Sequence, residues 1–325
     1  MSFWGVEVFL AHTSLYDGKM KKKVLIIGNG FDLDLGWKTG YRDFVSSEYW
    51  PLKDQAPDSP MAEYIARRVN LERWYDLEAI LKEFASDTTF YRHKALPREE
   101  EFFNKLKDAL TRYLKEEEKQ EVRLDSLAAN VLKATIDNGY FTSIYTFNYT
   151  DLHKIAQRLN IHSHFSFDSV HGCIENSSII LGVDDKCNLR DGYACFLRKV
   201  YSEHYTPHHI RYDLQDCDEA VFFGLSFGDI DYPYFADFFY TQSNCSSRKD
   251  SKKITIFTKD NYSRIQILDQ LRNMNGGHTE QLLNDNDFKL IMTDKPNQVQ
   301  LKKFFDYLKK DSVAAHAVKI SVLRS

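Results

Sequence analysis

Two hydrophobic patterns alternate along this chain: short unbroken apolar runs, and longer stretches whose apolar positions recur every three or four residues. Val24-Leu25-Ile26-Ile27 is the first unbroken run, and it ends directly in Gly28-Asn29-Gly30-Phe31-Asp32. A run of this length and β-branched content reads as a strand buried on both faces of a parallel sheet. Asp32 to Trp50 reads as a helix with loop, and Pro51 to Pro60 as a breaker-rich surface segment. From Met61 to about Asn138 the pattern is helical and charged. Leu71, Trp74, Leu77, Ile80, Leu81 and Phe84 keep helical spacing, and so do Phe102, Leu106, Leu110 and Leu114. This predicts a helical insertion at about 61–138, covering one face of the sheet.

The strand–helix rhythm then returns. Ser143 to Phe147 predicts a strand, and Asp151 to Leu159 a helix capped by Thr150 or Asp151. Ser169-Val170-His171, Ile179-Ile180-Leu181, Ala220-Val221-Phe222-Phe223-Gly224, Lys253 to Phe257 and Phe288 to Met292 predict further strands, the last two each followed by a helical stretch. Strands alternating with helices indicate an α/β fold, a doubly wound, Rossmann-like parallel sheet.

Composition narrows the picture. The chain has 325 residues, 43% of them hydrophobic, enough for a sizeable α/β core. The formal net charge of -4 gives no argument for bulk nucleic-acid binding. Five scattered cysteines with no Cys-x-x-Cys pair suggest neither a zinc site nor a disulfide framework, so a cytoplasmic setting is expected. No apolar run approaches the ~18 residues of a membrane span. The domain pattern begins at Lys21. Residues 1–20 are expected to be an extension, 21–310 the α/β domain, and 311–325 a tail.

Four polar signals directly follow predicted strands: Asn29 with Asp32, Asn148, His171-Gly172, and Ser226 with Asp229 and Asp231. In a parallel sheet these loops share one rim, where ligands bind. Gly28-Asn29-Gly30 suits a backbone approach to a pyrophosphate, although the next glycine, Gly36, breaks the dinucleotide spacing. A tight turn without ligand fits equally well. Asn148 suits a ribose hydroxyl or an attacking water, or a plain turn. His171 beside a glycine suits a general base near neutral pH. Asp76 and Glu78 read as a first-turn residue and a solvated surface residue. Arg198-Lys199 reads as a surface pair on a helix. His162, His164, His208 and His209 read as solvated loop residues, and Asp184-Asp185 as a turn or rim acid. No metal site is expected.

Ile26 to Asp32, Trp74-x-Asp76-x-Glu78, Phe147-Asn148-Tyr149-Thr150, His171-Gly172 and Gly224-Leu225-Ser226-Phe227-Gly228-Asp229-x-Asp231, in this order, resemble the bacterial abortive-infection AbiH family over about residues 21–310. The resemblance implies a cytoplasmic anti-phage role. The same order is more distantly similar to the sirtuin-like NAD-binding fold and its NAD-hydrolysing defence relatives. That similarity implies NAD contacts from Gly28, Asn29, Gly30, Phe31, Asp32, Gly224, Ser226, Asp229 and Asp231, with Asn148 at the ribose and His171 as base. Asn29 and Asp32 stand where those relatives carry alanine and serine, and a four-cysteine zinc module is absent, which argues against a deacylase.

The expected activity is cleavage of the nicotinamide–ribose bond of NAD as substrate, releasing nicotinamide and ADP-ribose. A homo-oligomer or a defence partner protein would gate it, and neither a membrane nor a metal takes part. Two alternatives stay open: a non-catalytic NAD or ADP-ribose sensor, and a metal-dependent nuclease or phosphoesterase using Asp32, Asp184, Asp185, Asp229 and Asp231.

Overall fold

In the computed structural model, Lys23–Ile27 forms β1, buried along its whole length. The structure describes residues 15–16, 19–52, 59–69, 76–87, 96–136, 138–190, 192–244 and 250–309. The N-terminal extension and the C-terminal tail therefore fall largely outside the described residues, as do Leu71 and Trp74. The remaining sheet strands are β2 (Ser143–Thr146), β3 (Asp168–Ser169), β4 (Glu219–Phe223), β5 (Lys253–Thr258) and β6 (Asp287–Met292). Their spatial order is β3-β2-β1-β4-β5-β6, and every pairing is parallel. This is the Rossmann order, with the sheet reversing direction between β1 and β4.

Successive side chains of a strand point to opposite faces, and the two faces fill two separate cores. Leu25 and Ile27 of β1 pack with helices α1 (Asn29–Asp34), α6 (Leu127–Ile136) and α7 (Leu152–Arg158) and the helix over 298–309. Val24 and Ile26 pack with α9 (Ile210–Asp216), α10 (Tyr232–Ser243), α11 (Asn261–Met274) and α12 (Thr279–Asp285).

A third core belongs to neither face. It joins α2 (Tyr41–Ser46), α3 (Pro60–Val69), α4 (Leu77–Ser86) and α5 (Leu96–Glu117) to the segment from Ile174 to Leu197, which ends in the short helix α8 (Ala194–Leu197). Tyr149, from the loop after β2, packs into it. The predicted insertion thus splits in two: α3 to α5 build a cap of their own, while α6 packs on the sheet. Asp76 starts α4 as its N-cap, accepting a hydrogen bond from the Ala79 N–H at 3.1 Å. Asp151 caps α7 through the His153 N–H at 2.8 Å.

Two predicted elements differ. The helix expected from Asp32 to Trp50 is two short helices, α1 and α2, with Gly36 at φ +98° after the first. Ile179-Ile180-Leu181 is not a sheet strand. It is an extended piece of the cap, its apolar residues buried there, and it ends in an isolated bridge between Val183 and Arg198. An apolar run records burial, and here the burial comes from helices rather than neighbouring strands. Among the described residues, no helix is long and apolar enough to cross a membrane.

Candidate functional site

The loops after β1, β2, β3 and β4 all leave the carboxyl edge of the sheet, and the polar residues singled out in the sequence sit there. At the β1–β4 reversal the two glycine loops pack backbone on backbone. A Cβ on Gly28 would lie 2.8 Å from the Gly224 carbonyl oxygen, and one on Gly30 would lie 2.6 Å from the Gly224 Cα. Gly224 has φ +71°, and its own Cβ would lie 2.4 Å from Gly30 and Phe31 backbone atoms. The Gly28 N–H donates to the Phe223 carbonyl and the Gly30 N–H to the Gly224 carbonyl, both at 2.9 Å. The absence of side chains therefore serves loop-to-loop packing, and these two N–H groups already have acceptors.

The other loop residues divide by burial. Phe31 lies in the core, edge-on to Phe223. Asn29, Ser226 and Asp229 are exposed on the rim. The Asn29 side-chain oxygen accepts a hydrogen bond from the Thr39 hydroxyl at 2.5 Å. Phe227 adopts φ +54°, unusual for a bulky residue, and its ring is buried against Phe222, Phe235 and Phe239. That anchor sets the path of the chain from Ser226 to Asp231.

Asp32 is 1% exposed and forms a knot between the β1 and β2 loops. Its carboxylate accepts hydrogen bonds from the Asn148 amide at 2.8 Å and the Thr150 hydroxyl at 2.7 Å. Asn148 also donates to the Gly28 carbonyl at 3.2 Å, while its own Oδ1, buried, has no hydrogen-bond partner among the described residues. Burial raises the Asp32 carboxyl to about 7, against the opposing pull of the Thr150 and Asn148 hydrogen bonds.

A second cluster gathers Glu78 from α4, His171 after β3, Lys199 from the 3₁₀ turn Lys199–Tyr201, and Asp231 at the start of α10. The Lys199 Nζ donates to Glu78 Oε2 at 2.9 Å and lies 3.1 Å from His171 Nε2. The other Glu78 oxygen accepts from the Gly182 N–H at 3.2 Å. Asp231 Oδ1 is 3.9 Å from His171 Nε2. The rings of Phe147, Tyr149 and Tyr234 pack around His171. Burial lifts the Glu78 carboxyl to about 7 and that of Asp231 to about 6, with Lys199 opposing both shifts. Burial, reinforced by the Lys199 and His208 charges, holds the His171 imidazole well below its usual range, so the ring is neutral at physiological pH.

Asn148 and His171 thus belong to different clusters. Phe147 and Tyr149 turn toward His171, while Asn148 between them turns to Asp32. Two surface assignments are corrected. Glu78 is 8% exposed and Lys199 5% exposed, because the cap core carries both inward onto the rim. The signal for Lys199 was its apolar setting in Phe196-Leu197-Arg198-Lys199-Val200, too apolar for a surface pair. Of the four loop histidines, His162, His164 and His209 are exposed, whereas His208 is half-buried with its Nε2 3.2 Å from the Val170 carbonyl. Asp184 accepts from the Cys187 thiol and Asp185 pairs with Arg198. Among the described residues, no three His, Cys, Asp or Glu side chains gather as a metal-ligand group.

A family model described as bacteriophage abortive infection AbiH matches residues 24–250, a span that takes in β1 to β4, the cap and both clusters. The chain belongs to the AbiH family. No curated protein matches it.

Proposed function

We propose that this AbiH-family chain serves abortive infection by hydrolysing NAD at the nicotinamide–ribose bond. The observation that supports this most is the convergence of Glu78, His171, Lys199 and Asp231. Four ionisable side chains, three of them buried and that of Asp231 partly exposed, come from four separate segments to the carboxyl edge of a Rossmann-ordered sheet. Burying such groups is costly, and a fold retains them mainly where chemistry needs them. That edge, at the strand-order reversal, is where α/β sheets bind nucleotides.

The chemistry suits the donor set. Nicotinamide departs as a neutral base, so little acid assistance is needed, and positive charge develops on the ribose ring. Carboxylates held in a dry site stabilise such a centre more than water does. The unpartnered Oδ1 of Asn148 is an acceptor for a ribose hydroxyl. The motif order similar to sirtuin-like NAD-binding proteins supports the same substrate. A cell survives carrying such an enzyme only if the enzyme is gated, by assembly or by a phage-derived trigger.

The test is incubation of the purified protein with NAD, following nicotinamide and ADP-ribose by chromatography. His171→Ala and Asn148→Ala are each expected to slow release, by roughly 10²-fold or more where proton transfer or its geometry is lost. Full turnover in both variants would remove the site assignment.

A further inference from the structure

We propose that Asp231 is the group that accepts the proton from the attacking water, with Lys199 as the positioning residue that holds Glu78 and His171 beside it. This rests on the NAD-hydrolase reading and changes which residue carries the base.

The position of Asp231 in the fold makes the case. It is the N-cap residue of α10, where aspartate is favoured because its side chain caps the free helix N–H groups. Here it makes no capping hydrogen bond. The carboxylate turns away from its helix toward the charged cluster, and its buried Oδ1 has no hydrogen-bond partner among the described residues. A cap contributes about 1 kcal/mol, and an unsatisfied buried acceptor costs a similar amount. The Lys199 charge attracts the carboxylate, but no hydrogen bond among the described residues replaces the lost cap, so the orientation points to a ligand. The side chain keeps 20% of its surface accessible, while Glu78 keeps 10% and is already bonded at both oxygens.

His171 is less suited to the task. Its Nε2 faces the Lys199 ammonium at 3.1 Å, an arrangement in which that nitrogen accepts and the proton of the neutral ring sits on Nδ1. A proton delivered to Nε2 would displace Lys199 and place two cations side by side.

The step balances. The water oxygen bonds to the anomeric carbon as the carbon–nitrogen bond breaks. That bonding pair goes to the nicotinamide nitrogen, and one water proton goes to the Asp231 carboxylate before release to solvent. The charged and titratable groups facing Asp231 are Lys199, His171, Asp76, Glu78, Tyr149 and Tyr234. Its carboxyl titrates at about 6, so the rate should rise with pH through about 6 as the base ionises.

The experiment compares NAD turnover and its pH profile in wild type, Asp231→Asn, Asp231→Glu and His171→Ala, with azide added. Melting temperatures report folding. Azide is already an anion and needs no base, so it bypasses a missing proton acceptor. Asp231→Asn should lose roughly 10²–10⁴-fold in turnover, and its acid limb should vanish. Azide should restore turnover in Asp231→Asn with an azido-ADP-ribose product detectable by mass, and should not restore His171→Ala. Asp231→Glu should keep the acid limb at reduced rate, which covers the case in which Asp231→Asn folds poorly. Undiminished turnover in Asp231→Asn overturns the assignment and leaves the hydrolase reading standing, as does a loss that azide restores only in His171→Ala. A wild type that leaves NAD intact across the whole pH range overturns the hydrolase reading itself, and the base assignment with it.

Discussion

The two buried polar clusters at the carboxyl edge differ in how completely they satisfy themselves. In the Asp32 knot, neutral donors from Asn148 and Thr150 occupy both carboxylate oxygens. The knot ties two neighbouring sheet loops together, and only the Asn148 Oδ1 is left over. In the charged cluster, Lys199 bridges Glu78 and His171 from the cap to the sheet, and Asp231 stands partly exposed with an unpartnered oxygen. A cluster that saturates its own hydrogen bonds is primarily a fastener. One that leaves an acceptor without a partner, on a side chain that is itself partly exposed, is arranged for something that arrives. The Gly28–Asp32 motif, so prominent in the sequence, lies mostly on the fastener side.

The strongest test of this contrast is Lys199→Met. Removing one partner of a buried ion pair leaves Glu78 uncompensated, and a loss of about 3–5 kcal/mol in urea unfolding is expected. Adding Glu78→Gln to Lys199→Met should recover part of that loss, because no buried charge is then left alone. A double variant as unstable as the single one would show that packing, not charge, dominates the cluster.

Asn148→Ala should cost about 1–3 kcal/mol, since it takes a donor from both Asp32 and the Gly28 carbonyl. Its melting temperature should fall more than that of Asp231→Asn, which has no structural hydrogen bond to lose. The reverse order would erase the distinction between the two clusters.

Both clusters predict the same pH trend. The folded-state pKa values of Asp32, Glu78 and Asp231 lie above those of free carboxyls. The folded protein therefore binds more protons than the unfolded chain between about pH 4 and pH 7. Stability should fall across that window, by up to about 1.4 kcal/mol per pH unit per group, and level off above it. Asp32→Asn should flatten the slope without abolishing it, as equilibrium unfolding at a series of pH values would show. A slope unchanged by Asp32→Asn would place the effect in the charged cluster alone.

The smallest effect is expected for Thr150→Val, which removes one hydroxyl donor from Asp32 at nearly constant volume. About 1 kcal/mol is expected by urea denaturation, with the midpoint of the Asp32 titration moving further up as a lowering influence is lost.

Much of the sheet was legible in the sequence. The apolar runs at Val24–Ile27, Ala220–Phe223 and Ile254–Phe257 are strands because their residues feed both cores, and the glycines after two of them mark loops that touch. The polar residues after the strands were legible as a rim, because a parallel sheet sends every such loop to one edge. Periodicity reports only what a segment buries locally, so it misread Ile179–Leu181, which is covered by the cap.

By itself, then, the sequence determined a strand–helix order, a family and a set of loop residues facing one edge. It did not determine which of those residues meet. Glu78 and Lys199 are 121 positions apart and sit on separate segments of the chain. Only the cap, folding around its own apolar core, brings them against His171 and Asp231. Long-range burial decides whether a lysine is a solvated surface charge or the centre of a site; the apolar setting of Lys199 signals burial, but no local pattern names the partners it meets.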